Sequence, residues 1–158
     1  MDLFEITKTM VITLVSAYLG FLLAFQKFKK EKFWDERRAG YKEVIEAIEE
    51  ILHWAEQVRA EHCLEPSSNI PAKEHEAFRT ISKYSITGKL LFTNEFYDIL
   101  EDVDKQINIT KFQFDEVKYD YSETEQSQFY FDLAIAIRSI VNKNLPQLIE
   151  IAKRELPK

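Results

Sequence analysis

The chain has 158 residues, 46% of them hydrophobic and 13% aromatic, which suits one domain with a modest core. Only three glycines and four prolines interrupt it, so the composition favours long helices over a fold with many turns. A single cysteine excludes an internal disulfide, and the excess of 27 acidic over 21 basic residues disfavours general binding to nucleic acid.

The first predicted element is a membrane-spanning helix over residues 9–25, where no side chain is charged. As a helix this run is roughly 25 Å long, and a hydrocarbon core of roughly 30 Å needs slightly more. Ile6 and Thr7 extend the run at one end if Lys8 snorkels outward, and residues 26–28 extend it at the other. A buried core helix is the alternative interpretation.

The charges around this run predict its orientation. Asp2, Glu5 and one lysine precede it, which is not the positive start of a cleaved signal peptide. Basic residues follow it instead: Lys27, Lys29, Lys30, Lys32, Arg37 and Arg38. Because basic residues beside a span mark its cytoplasmic side, we expect the N-terminus outside and the C-terminal domain in the cytoplasm. The first four lysines and Trp34 are then candidate contacts to lipid headgroups.

Small residues mark one side of the predicted span. Ser16, Gly20 and Ala24 recur at every fourth position, a pattern that lets helix backbones approach closely in lipid. It predicts a homo-oligomer that packs through this stripe, with a purely lipid-facing helix as the alternative.

The predicted fold class is all-α, with the span continuing into a cytoplasmic antiparallel bundle of four or five helices. Residues 1–28 form the tail and transmembrane helix, 29–40 a basic juxtamembrane segment, and 41–158 the bundle. Only Gly40 interrupts the helical pattern before Pro66, so the span and the first bundle helix can be continuous. The apolar stripe of that first bundle helix consists of Tyr41, Val44, Ile45, Ile48, Ile51, Leu52, Ala55 and Val58.

Further helices follow a proline-containing loop at residues 63–72. The second is predicted over residues 73–86, with Gly88 as its break, and the third begins at Thr93 or Asn94. Phe96, Ile99, Leu100, Val103 and Ile107 form the stripe of the third helix.

Residues 109–121 allow a strand pair, a continued helix or an aromatic loop. Ser122 with Glu125 predicts a capping box that opens another helix. Pro146 predicts the first turn of a separate last helix.

Residues with catalytic or metal-binding chemistry form no recognisable motif. His53, His62, Cys63 and His75 match no zinc spacing, and no orienting group accompanies the thiol. We therefore expect no enzyme activity, no cofactor and no metal. Five basic residues suggest a pocket for a small phosphorylated ligand. The alternative interpretation is that they are separate, solvated surface residues. They are Arg79, Lys83, Lys105, Lys111 and Lys118.

A family resemblance comes from two segments that follow a lone N-terminal span, KKEKFWDERRAGYKEVIEAIEEIL and GKLLFTNEFYDILEDV. The arrangement resembles small uncharacterised bacterial single-span membrane proteins with a cytosolic helical domain, some of them encoded in anti-phage defence systems. The resemblance implies an oligomerising effector, or an accessory subunit, in the inner membrane. The alternative is an anchor or scaffold that recruits a cytosolic protein partner. A third hypothesis is a membrane effector gated by a cyclic nucleotide.

Overall fold

The computed structural model describes residues 3–66, 73–117 and 123–156, with side chains except those of residues 3–7, 9, 11, 116–117 and 123–125. This part of the chain is helical and contains no strand, so the predicted all-α class is confirmed. The helices are α1 (Leu3–His62), α2 (Glu74–Thr87), α3 (Asn94–Val117) and α4 (Glu123–Glu155), with a 3-10 helix, Gly88–Leu90, after α2. The chain divides into two compact units, Met1–Arg37 and Arg38–Lys158.

The first unit is the N-terminal part of α1, and every side chain described between residues 12 and 36 is exposed. Among the residues whose side chains the structure describes, no helix contains a stretch long and apolar enough to cross a bilayer. Positions 9 and 11 of the predicted span lie outside that set.

The second unit is a helical bundle with one apolar core. Tyr41, Ile48 and Ile51 of α1 are almost completely buried in it, as the three-and-four spacing predicts. The other fully buried large side chains come from all four helices: Val44, Ile81, Phe96, Leu100, Val103, Ile107, Ile137, Val141 and Leu148. The predicted stripes of the first and third bundle helices are therefore core faces, with Ile45, Leu52 and Ile99 at their half-buried edges. Val58 is the exception, since it is half-buried and lies outside this core.

A close contact between backbone and ring joins α1 to the segment after α2. A Cβ atom on Gly88 would lie 2.7 Å from Cδ2 of Phe92, and one on Gly40 would lie 3.1 Å from its Cε1. Phe92 is buried and also packs on Tyr41 and Phe96, with ring centroids 4.8 Å away in both cases. Both glycines thus make room for one core ring.

The predicted separate last helix is wrong, because α4 runs from Glu123 to Glu155 with Pro146 inside it. A proline there removes the hydrogen bond to the carbonyl of Asn142 and costs about 3 kcal/mol in a helix interior. Val141 and Leu148, on either side of the proline, are both buried in the core. Their packing in the core stabilises α4 as one continuous helix despite the missing bond.

Two other sequence predictions concern helix ends. Of the three possibilities for residues 109–121, the continued helix is correct as far as Val117, and the remainder lies outside the described residues. The capping box also lies outside them, since neither Ser122 nor the Glu125 side chain is described. At the start of α3 the Thr93 hydroxyl is buried without a hydrogen-bond partner, so it does not cap that helix.

Candidate functional site

The small-residue stripe lies on one exposed side of α1. Ser16, Gly20 and Ala24 are all exposed, and their four-residue spacing places them along the same side of the helix. A Cβ atom added at Gly20 would meet nothing within 4 Å. The stripe is therefore open to another helix.

The predicted headgroup contacts follow the apolar run on the same helix. Lys27 forms an ion pair of 3.8 Å with Glu31, and Nζ of Lys29 lies 4.6 Å from the ring centroid of Phe25. Lys30 and Lys32 are exposed too. Arg37 stacks over Trp34 at 5.1 Å from its ring. Cationic groups and aromatic rings thus alternate at this end of the apolar run.

The histidines and the cysteine form no metal site among the described residues. His62 stacks on the Phe131 ring at 4.4 Å between centroids, His75 lies 3.7 Å from the Glu74 carboxylate, and Cys63 is exposed. Among the described residues, no group of three potential ligands is placed to hold a metal ion.

A cavity of about 600 Å³ opens among the four helices of the second unit. Its lining is partly apolar and aromatic and partly ionisable or hydroxylated. The apolar and aromatic wall consists of Trp54, Val58, Phe78, Tyr130 and Leu133, and the polar lining of Glu61, His62, Glu74, His75, Lys111 and Ser127. The cavity therefore offers a surface for a ring or alkyl group beside several hydrogen-bonding groups.

Lys111 is the unusual group in this cavity. Its Nζ atom lies 3.2 Å from the ring centroid of Phe78, a cation–π contact. Burial lowers the pKa of the Lys111 ammonium, and the negative charges of Asp115, Asp104 and Glu74 oppose that shift. The ammonium is therefore poorly solvated, with carboxylates near it but none among the described residues in an ion pair with it.

The basic residues considered for a phosphate pocket are only partly brought together. Lys111 lines the cavity, whereas Arg79, Lys83 and Lys105 are exposed residues outside its lining. Lys83 instead lies 3.7 Å from the Glu43 carboxylate. Lys118 lies outside the described residues.

Sequence reasoning missed the aromatic wall of the cavity. Trp54 and Phe78 contact each other edge to face at 5.8 Å although they belong to different helices. The available signal was local: Trp54 and Val58 stand four residues apart on the edge of the apolar stripe of α1.

Glutamates line a second, shallower groove between α1 and α2. Its volume is about 390 Å³, and its charged lining consists of Glu43, Glu46, Glu50, Glu76 and Lys73. The Lys73 backbone N–H donates to the Glu50 carboxylate at 2.7 Å. The groove therefore carries a net negative charge.

Comparison with protein-family models, with curated proteins and with solved structures gives no match for this chain.

Proposed function

We propose that the protein is a non-enzymatic, single-pass protein of the bacterial inner membrane that acts through association of its N-terminal helix. The observation that carries this proposal is the exposure of apolar side chains on every side of α1 from residue 12 to residue 28. A protein core needs one apolar stripe, whereas lipid covers a helix on all sides. Leu14, Val15 and Leu23, each more than half exposed, point in different directions around the helix.

The basic and aromatic end of the apolar run supports an orientation. Lys27, Lys29, Lys30 and Lys32 follow the run at once, and Trp34 stands beyond them. Basic residues remain on the cytoplasmic side, and tryptophan favours the headgroup zone. The bundle then lies in the cytoplasm, where it meets protein partners.

The small-residue stripe supports association as the mode of action. Lipid tails supply no hydrophobic drive for helices to pair, so pairing depends on close backbone contact at small residues. Ser16, Gly20 and Ala24 present such a surface. Together with the family resemblance, this favours an effector, or an accessory subunit, of an anti-phage system that permeabilises the membrane as an oligomer.

The test is Gly20→Ile in the full-length protein, expressed under an inducible promoter. A Cβ atom added at Gly20 has nothing within 4 Å outside its own turn of helix, but the branched side chain would hold two helix backbones apart. We expect less crosslinked oligomer and less membrane depolarisation than in the wild type. Leu22→Ile is the matched control, because residue 22 lies on the opposite side of the helix.

A reporter fused after Lys158 checks insertion in both variants, and we expect it to be cytoplasmic. A periplasmic reporter would contradict the orientation. Unchanged oligomer and undiminished depolarisation in Gly20→Ile would instead reject association through this stripe.

The second candidate function is an anchor that recruits a cytosolic partner, and the glutamate-lined groove favours it. A groove with Glu43, Glu46 and Glu50 along one helix attracts a basic surface. An anchor needs its span only to hold position, so Gly20→Ile would leave partner recruitment intact. That outcome separates the two functions.

A further inference from the structure

We infer that the cavity around Lys111 binds a small organic molecule that combines an aromatic or aliphatic ring with a single anionic group such as a carboxylate. This inference concerns the bundle alone and does not depend on how the N-terminal helix acts. The volume of this cavity, about 600 Å³, lies within the range of ligand pockets, roughly 300–1,000 Å³.

The apolar wall of the cavity is the reason to expect a ring on the ligand. Trp54, Phe78 and Tyr130 bring aromatic rings to one cavity, and Val58 and Leu133 add aliphatic surface. Aromatic side chains bind flat rings by offset stacking or edge contacts. Ligand pockets generally combine such a wall with a few polar groups that set the orientation of the ligand.

The Lys111 ammonium is the reason to expect an anionic group on the ligand. Its ammonium carries three donors, yet among the described residues its observed close contact is the face of the Phe78 ring. A half-buried ammonium without an ion pair is unfavourable, because the ring replaces only part of its lost hydration. A carboxylate in the cavity would supply an acceptor that the described residues do not provide.

The carboxylates of the lining restrict the ligand to one negative charge. Glu61 and Glu74 both face the cavity, and Glu74 is among the charges that Lys111 experiences. A ligand with several phosphates would meet these two glutamates as well as the one lysine. An amine of similar shape is the competing class, since the glutamates would attract it.

The experiment uses the full-length protein in detergent, with Trp54 as the reporter of cavity occupancy. The chain has two tryptophans, so Trp34→Phe leaves Trp54 as the only one. Phenylacetate is the probe, and phenethylamine, with the same ring and the opposite charge, is its counterpart. We expect phenylacetate to change Trp54 emission saturably and phenethylamine to bind at least about tenfold more weakly.

Variants of Lys111 test the anionic contact. Lys111→Met should weaken phenylacetate binding by at least about tenfold, since a charge-assisted hydrogen bond is lost. Lys105→Met is the matched control, because this lysine is on the same helix but exposed and outside the lining. Lys111→Arg keeps the cation, so it should bind more tightly than Lys111→Met, and circular dichroism verifies that each variant folds.

Three results would overturn the inference. They are the absence of a saturable change with phenylacetate, binding of phenethylamine as tight as that of phenylacetate, and unaltered phenylacetate binding in a folded Lys111→Met protein. The second result would assign the cavity to cationic ligands.

Discussion

At the scale of single residues, Leu64 is the clearest strained position. It follows the end of α1 with a φ of 55°, the left-handed region that β-carbons disfavour. The Glu65 N–H donates to the Ala60 carbonyl and the Leu64 N–H to the Glu61 carbonyl. These two bonds are those of a Schellman helix end, where glycine is the usual residue at the left-handed position.

We expect Leu64→Gly to stabilise the bundle by roughly 0.5–1 kcal/mol. Relief of the left-handed strain, about 1–2 kcal/mol, is partly offset by the greater backbone freedom of glycine in the unfolded chain. Little packing is lost, because Leu64 is 94% exposed. Thermal unfolding followed by circular dichroism measures the change, and Leu64→Ala, which keeps its Cβ atom, should show no comparable gain.

At the scale of elements, Phe92 connects α1, α2 and α3 through its position against two glycines. Gly88 has right-handed dihedral angles, φ −65° and ψ −21°, so its backbone does not require glycine. The requirement is space, since a Cβ atom there would lie 2.7 Å from the Phe92 ring. That ring is buried among Tyr41, Tyr84 and Phe96 and has little room to shift.

We therefore expect Gly88→Ala to destabilise the bundle by about 1–3 kcal/mol, the usual cost of overpacking a core. Gly40→Ala should cost less, because its contact at 3.1 Å is looser and alanine favours the helix by about 1 kcal/mol. Gly20→Ala, with open space around it, is the control. Denaturant titration measures all three, and an unfolding midpoint of Gly88→Ala equal to that of the wild type would refute the packing argument.

At the scale of the whole molecule, the partly buried Tyr84–Glu43 hydrogen bond links stability to alkaline pH. The Tyr84 hydroxyl of α2 donates to the Glu43 carboxylate of α1 at 2.6 Å. Burial, followed by this hydrogen bond, raises the pKa of Tyr84 to about 12 from an ordinary value of 10.0. The protonated hydroxyl is therefore favoured in the folded state, so its contribution is full below pH 10 and is lost as the pH rises through about 12.

We expect the wild type to exceed Tyr84→Phe in unfolding free energy by about 1 kcal/mol at pH 8, the value of an ordinary hydrogen bond. The difference should shrink as the pH rises from 10 towards 12. Burial also raises the pKa of Tyr97, so both proteins lose stability over this range. Only the difference between them reports Tyr84, and a difference that stays constant from pH 8 to pH 12 would contradict the assignment.

Short-range patterns explain how much of the fold was predictable. The burial of Tyr41, Ile48, Phe96 and Leu100 follows from spacing along one helix, which is visible in the sequence itself. The prediction that Pro146 begins a separate helix was wrong, because its local preference for a first turn is outweighed by core packing on both sides. Local preference is worth a few kcal/mol at most, and tertiary contacts of buried residues exceed it.

The amino-acid sequence by itself determined the helical class, the core stripes of the first and third bundle helices, and the exposed small-residue stripe of Ser16, Gly20 and Ala24. Each of these depends on residues within a few turns of one helix. Only the tertiary structure brought Lys111 onto the ring of Phe78 and placed both in one cavity with Trp54. These residues belong to different helices, and their meeting depends on how the faces of those helices pack together, which no local period specifies.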